Sequence, residues 1–254
     1  DGLDVWATDG TEAGTVKILD NQSYGTIYDI DYFSFKSQAL LVVNSSELFA
    51  TDGTVDGTSL IAEMDASIQP EFGTAETENY VYFPIYKGEI WRTDGTVSGT
   101  TKVDAGNISF GGNPPLALVN GLVLYSLIDN DAGYVAKIYA LNESIGSREL
   151  LTTLSTSRTS SFSSNGEVMY FSTDHVLWKS DGTPGGTMAI KSSDEIYFSA
   201  WRKGVFLDQQ FLFFAATNST GRELWTTDGS TDGTHLLKDI YVGPVSSENP
   251  YNPT

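Results

Sequence analysis

The chain has 254 residues, 33 acidic against 14 basic, a formal charge of −19 and no cysteine. This balance excludes nucleic acid as a partner, because phosphate binding needs a basic surface, and the missing cysteines exclude disulfides and thiolate metal sites. No apolar run approaches the ~18 residues needed to cross a bilayer, so no membrane insertion is expected.

The chain starts at Asp1 with no initiator Met, so it reads as a processed piece or one excised from a longer chain. Its first feature is Trp6, followed by Thr8-Asp9-Gly10-Thr11 and a second pair, Gly14-Thr15. The same order returns at Phe49 with Asp52 and Gly57-Thr58, and at Trp91 with Asp94 and Gly99-Thr100. A worn copy follows at Tyr139-Ala140-Leu141-Asn142. Two good copies complete the set, at Trp178 with Asp181 and Gly186-Thr187, and at Trp225 with Asp228 and Gly233-Thr234. The spacing is about 44 residues, which marks one supersecondary unit copied around a ring or along an array.

Each unit parses into four short strands. In the second unit they are expected at 59–62, 71–74, 80–83 and 89–92, the last carrying the motif aromatic. Equivalents of the third strand lie at 39–43, 122–125, 168–171 and 211–214. These runs are apolar on both faces, as in a sheet covered on each side. The predicted class is all-β: a β-propeller of six four-stranded blades over 1–254 as a single domain, with five blades plus a fragment as the alternative. Nothing precedes Trp6 to supply a sixth third strand. The first motif strand is therefore expected to join the C-terminal strand at 235–240 in a composite blade, closing the ring by pairing the two chain ends. That blade is short by about one strand and its turn, so it is an open edge that a foreign strand could fill. The segment 249–253 is expected to be extended, because each Pro biases its predecessor away from helix.

Asp-Gly supplies a tight turn with its left-handed residue, and the carboxylate can accept backbone amides. Asp9, Asp52, Asp94, Asp181 and Asp228 are therefore expected to be turn staples. A row of calcium ligands is the alternative, although the spacing lacks the ligand alternation and bidentate Glu of an EF-hand loop. The aromatics Trp6, Phe49, Trp91, Tyr139, Trp178 and Trp225 are expected to pack between blades rather than stand exposed as sugar platforms.

The copy Glu223-Leu224-Trp225-Thr226-Thr227-Asp228-Gly229-Ser230 resembles the bacterial ELWxxDGT repeat. Glu47 and Glu89 match its Glu, and Asp4 and Val176 replace it in two other copies. The resemblance covers nearly the whole chain apart from the worn unit at 142–151. It implies a secreted or cell-surface bacterial protein, tandem arrays and propellers, and it brings no catalytic residues.

Catalytic signals are weak. His175 and His235 sit on strands without metal-ligand spacing, and no Gly-x-Ser-x-Gly elbow is present. Ser180-Asp181-Gly182-Thr183 loosely resembles the sialidase box, but its Trp precedes the Asp. The convergent arginines of that site would have to come from Arg92, Arg148, Arg158, Arg202 and Arg222, two of which lie in or beside motif copies. Five glycosylation sequons, at Asn21, Asn44, Asn107, Asn142 and Asn218, are near the chance expectation for a Ser/Thr-rich chain. The expected function is a non-enzymatic scaffold, secreted, at the cell surface or periplasmic. It would assemble with other proteins or with copies of itself through the incomplete blade. The alternative is a calcium-dependent carbohydrate-binding module with glycan partners; a glycosidase-like enzyme comes third.

Overall fold

The computed structural model describes residues 2–106, 115–156, 159–160, 162–173, 175–198, 204–240 and 242–243. The tail at 249–253, the sequon at Asn107, and Arg158 and Arg202 lie outside the described residues. The chain divides into two compact units, Asp1–Pro114 and Pro115–Thr254.

In the first unit, β1 (Val5–Ala7) and β2 (Val16–Leu19) form a two-stranded sheet. A four-stranded sheet follows from β3 (Ile30–Phe35), β4 (Gln38–Val43), β5 (Glu47–Thr51) and β6 (Ser59–Glu63), and another from β7 (Ala75–Glu76), β8 (Val81–Ile85), β9 (Glu89–Thr93) and β10 (Thr101–Ala105). The second unit opens with β11 (Leu116–Val119), β12 (Leu122–Asp129), β13 (Val135–Asn142) and β14 (Ser147–Thr153). Next come β15 (Ser163–Ser164), β16 (Met169–Ser172), β17 (Val176–Ser180) and β18 (Met188–Ser192). The last sheet holds β19 (Ile196–Phe198), β20 (Val205–Leu207), β21 (Gln210–Thr217), β22 (Gly221–Thr227) and β23 (His235–Lys238), with both β19 and β20 paired to β21. Every strand pair is antiparallel and sequential in its sheet, apart from the crossing of β19 to β21. The fold is all-β.

The structure shifts the phase of the repeat. The strand after each turn, expected to begin the next unit, folds back on its own motif strand as the outermost strand: Ala50 pairs with Ser59, Arg92 with Thr101 and Thr226 with His235. The Thr-Asp-Gly-Thr-x-x-Gly-Thr segment is thus a hairpin turn. As a consequence β23 completes the sheet of Trp225, with Trp225 opposite Leu236, instead of opening a composite blade with Trp6. Trp6 lies opposite Lys17 in a sheet that, among the described residues, holds two strands rather than the four of the pattern. A second correction concerns 71–74. Pro70 fixes the start of a 3₁₀ turn at Pro70–Phe72, Gly73 ends it at φ 121°, and the strand is the short Ala75–Glu76.

A β-bulge sits at the motif aromatic in all six sheets. Opposite Phe49 is Leu60, but opposite Leu48 is Ala62, so Ile61 is the extra residue. The corresponding extra residues are Ile18, Val103, Leu151, Ile190 and Leu237. All are aliphatic, and Ile18, Ile61, Leu151 and Ile190 are buried. A bulge re-aims a side chain and increases local twist; here it turns an aliphatic group inward in four of the six sheets, while Val103 is half-buried and Leu237 exposed.

Both-face burial holds for the sheets in mid-stack. One face of β3–β6 packs Phe35, Leu40, Leu48 and Ile61 against Val81, Phe83 and Ile85. Its other face packs Leu41, Val43 and Phe49 against Ile18 and Leu19. In the second unit, β15–β18 packs Met169 and Phe171 against Leu124 and Ile138, and Tyr170 and Leu177 against Phe198, Phe211 and Phe213. Full burial of one such aliphatic or Phe side chain contributes about 1.5–3 kcal/mol.

Candidate functional site

The most repeated chemistry in the chain is the turn, and its geometry is the same in all five good copies. Thr54 N–H and Oγ1–H both donate to Asp52 Oδ1, at 2.9 and 2.7 Å. Gly57 N–H donates to Thr54 Oγ1 at 2.9 Å, and Thr58 Oγ1–H donates to Thr54 O at 2.6 Å. Thr51 Oγ1 accepts Gly53 N–H and meets Thr58 Oγ1 at 2.6 Å. Asp9, Asp94, Asp181 and Asp228 make the same paired bonds to Thr11, Thr96, Thr183 and Ser230. A Cβ on Gly14, Gly57, Gly99, Gly186 or Gly233 would overlap the Asp carboxylate, which explains the second glycine.

The first glycine has two reasons. Gly10, Gly53, Gly95, Gly182 and Gly229 all take positive φ, and the last four abut the preceding sheet, Gly53 through Ala7, 3.8 Å from where a Cβ would stand. A Cβ on Gly95 would strike Gln38, one on Gly182 would come within 3.0 Å of Leu122 Cδ1, and one on Gly229 within 2.8 Å of the Tyr170 hydroxyl. Lys179 Nζ also donates to Gly229 O at 2.6 Å. The turn therefore fastens neighbouring sheets as well as its own hairpin. A Cβ on Gly10, in the turn of the first sheet, would meet nothing within 4 Å among the described residues.

The hydroxyls that flank the motif Asp pair with one another in every good copy. In the structure the pairs Thr93–Thr100, Ser180–Thr187 and Thr227–Thr234 are buried, each 2.7 Å apart. Their signal was present in the chain: a Thr or Ser directly before every motif Asp, and a Thr seven residues later. Thr227→Val keeps the shape but strands Gly229 N–H, so it should cost about 1–3 kcal/mol. Thr8→Val, whose partner pair is exposed, should be near neutral. Chemical denaturation of both variants checks the contrast.

The worn copy keeps its sheet with another turn. Ala140 lies opposite Glu149 at the usual nine-residue separation, and the ladder then runs on through Leu141–Arg148 and Asn142–Ser147. Leu141 offers no hydroxyl for the network, and Asn142 Oδ1 instead accepts Ser144 N–H at 3.0 Å.

The carboxylates of Asp52, Asp181 and Asp228 are held below the ordinary Asp range, first by the neighbouring side-chain hydroxyl and then by its backbone N–H. For Asp9 the backbone N–H of Thr11 is the larger cause. A depressed folded-state pKa gives stability that is present above the unfolded value of about 3.9 and lost as pH falls through the folded value. The melting temperature should therefore be flat down to about pH 5 and fall below pH 4. Asp52→Asn should flatten part of that acid slope in a pH series of thermal melts.

The motif Glu has a different partner in each copy. Glu89 Oε2 accepts the indole N–H of Trp91 at 2.8 Å, and its Oε1 accepts from Lys102 at 3.2 Å. Glu223, fully buried, accepts Ile240 N–H at 3.2 Å. Among the described residues the buried indole N–H groups of Trp178, where Val176 replaces the Glu, and of Trp225, whose Glu223 turns to Ile240, both lack a hydrogen-bond partner.

Of the motif aromatics, Phe49 and Trp225 are buried, and Trp91, Tyr139 and Trp178 are half-buried. Trp178 stacks on Phe171, Tyr139 stacks on Tyr125, and the Arg148 guanidinium lies 4.4 Å from the Tyr139 ring centroid. Trp6 is the exception and corrects the expectation of a packed aromatic. It is 56% exposed, with Lys17 Nζ 5.4 Å from its ring centroid. Among the described residues its sheet has only β1 and β2, without the two strands that cover this position in the other sheets.

The histidines are strand neighbours: His175 Nδ1 lies 3.0 Å from Ile196 O, and His235 is exposed on β23. Among the described residues no group of three or more His, Cys, Asp or Glu side chains converges. A cavity of ≈ 20 Å³ lined by Ser163, Tyr170, Phe198, Phe211 and Phe213 has room for one water.

Antiparallel sheets stacked face to face and fastened by a repeated turn define a β-propeller-like protein. No family model matches the chain, and no curated protein does. Among solved structures, it is similar to the computationally designed Ika8 protein at 13% identity and a TM-score of 0.54, over 86% of this chain and 64% of that one. The chain thus spans a little under two thirds of the designed protein's length. It is also similar to a chain of the mitotic checkpoint complex (10% identity, TM-score 0.56, 96% and 72% covered) and to oligogalacturonate lyase in complex with manganese (8%, 0.54, 93% and 72%). At these identities the likeness concerns the fold alone.

Proposed function

We propose that this chain is a non-catalytic scaffold of the ELWxxDGT-repeat kind, working outside the cell or at its surface by assembling with other proteins. The observation that carries the reading is the two-stranded sheet of β1 and β2, whose Trp6 is exposed beside sheets of four or five strands. The repeated Asp, Thr and Gly residues support it, because their hydrogen bonds go to the turns themselves. In this reading the whole chain is one propeller of six blades, and the sixth is begun by β1 and β2. An unpaired strand edge is a template for another chain.

The test is affinity capture with the whole chain from its native source, followed by light scattering of what is eluted. A stoichiometric complex with another protein is the expected result. A chain that remains a monomer without partners, and that turns over a glycan or other substrate, would overturn the reading.

A further inference from the structure

We infer that Asn120 is a self-modification site: the Gly121 nitrogen closes on its carboxamide, and the acid that results loosens the β11–β12 hairpin from the neighbouring sheet. The chain carries two Asn-Gly dipeptides, Asn120-Gly121 and Asn165-Gly166. Both lie exposed at hairpin turns, and a following glycine, having no Cβ, leaves its nitrogen open to ring closure. They differ in what holds that nitrogen. Gly166 N–H donates to Ser164 Oγ at 3.0 Å, while Asn165 Oδ1 accepts Glu167 N–H and Val168 N–H, each at 3.0 Å. The motif Asp-Gly pairs are held the same way: Gly10, Gly53, Gly95, Gly182 and Gly229 N–H each donate to the hydroxyl before the Asp, at 3.0–3.1 Å. Gly121 sits at φ 76° in the two-residue turn between Val119 and Leu122, and among the described residues no side chain accepts its N–H. A nitrogen whose hydrogen is held by a hydroxyl must break that bond before it attacks; Gly121 has none to break.

In the reaction a bond forms between Gly121 N and Asn120 Cγ. The carboxamide nitrogen leaves as ammonia, taking the proton that Gly121 N gives up. Water then opens the cyclic imide. Opening at the side-chain carbonyl gives Asp, and opening at the main-chain carbonyl gives isoaspartate, so water is the only reagent consumed. The consequence follows from what the carboxamide holds. Asn120 Nδ2 donates to Glu167 O and to Asp181 O, each at 3.0 Å. Beside it Asn120 N–H donates to Gly166 O at 2.7 Å, and Ser164 Oγ–H donates to Leu118 O at 2.6 Å. These bonds form a seam between the hairpin and the sheet of β15–β18. A carboxylate only accepts, so after hydrolysis it faces two carbonyl oxygens with nothing to donate. Isoaspartate also lengthens the main chain of a two-residue turn.

The whole protein is aged at mildly alkaline pH, folded and in urea, then digested and read by mass spectrometry that separates Asp from isoaspartate. In the folded chain Asn120 should convert about tenfold or more faster than Asn165, the rate factor of one hydrogen bond on the nucleophile, with the motif Asp residues unchanged. In urea the two Asn should convert at similar rates. Ser164→Ala should raise the Asn165 rate toward that of Asn120. The converted fraction, isolated by anion exchange, should melt several degrees below the parent, as should Asn120→Asp. Conversion at Asn120 no faster than at Asn165, or seen only in urea, overturns the inference. A converted fraction that melts like the parent overturns the loosening of the seam. If Ser164→Ala does not fold, the comparison of the two Asn in the parent still decides.

Discussion

Replacing Gly186 with Ala lowers the melting temperature by several degrees, and the same change one residue earlier leaves it unchanged or slightly raised. The two glycines are neighbours in one turn and differ in what a methyl group would meet. At Gly186 it would overlap the Asp181 carboxylate, whereas at Gly185 nothing lies within 4 Å. Neither needs a positive φ, so the contrast is one of space. Forcing the methyl in must push Asp181 off Thr183 N–H and Oγ1–H, which it holds at 2.9 and 2.7 Å. Overpacking of this kind costs about 1–3 kcal/mol, or roughly 2–10 °C for a protein of this size. Gly185→Ala instead reduces the freedom of the unfolded chain, worth about 0.4–1 kcal/mol in favour of folding. Thermal melts of the two variants decide the matter. Equal losses at both positions would mean that the Asp staple does not control the turn.

Phe49→Ala should be among the most damaging substitutions in the chain, and Trp6→Ala among the mildest, although both residues hold the same place in the repeat. Phe49 is 2% exposed, sits opposite Leu41 and meets Tyr24 edge-on at 4.8 Å. Truncating a buried Phe costs about 3–5 kcal/mol through lost transfer energy and the cavity left behind. Trp6 is mostly in solvent, and a surface substitution there should fall within about 0.5 kcal/mol. Denaturant unfolding of both variants measures the difference. A large loss at Trp6 would mean that its sheet is covered in solution, against the open-edge reading.

The motif strands and the turns were legible because their residues act locally. Asp-Gly-Thr bonds to itself within a few positions, and the apolar runs at 80–83 and 168–171 name their own burial on both faces. The phase of the repeat was not legible, since a periodic sequence reads alike wherever it is cut. Only the pairing of Ala50 with Ser59 and its equivalents shows that the turn closes a hairpin. The bulge was hidden for a related reason. One extra aliphatic residue per outer strand, such as Ile61 or Ile190, looks like ordinary strand composition until the register is known. The hairpin at Asn120-Gly121, with φ of 48° and 76°, was readable in advance from its dipeptide. Trp6 was misjudged because identity within a repeat says nothing of whether a covering strand is present.

Hydrogen exchange across β1, followed in the isolated chain and in the assembly captured from its native source, tests the open edge most directly. Amides of Val5–Ala7 should exchange faster in the isolated chain than those of Glu47–Thr51, and should slow markedly in the assembly. Equal exchange in the two states, with β1 already as protected as its counterpart in the second sheet, would contradict an edge that recruits a partner strand.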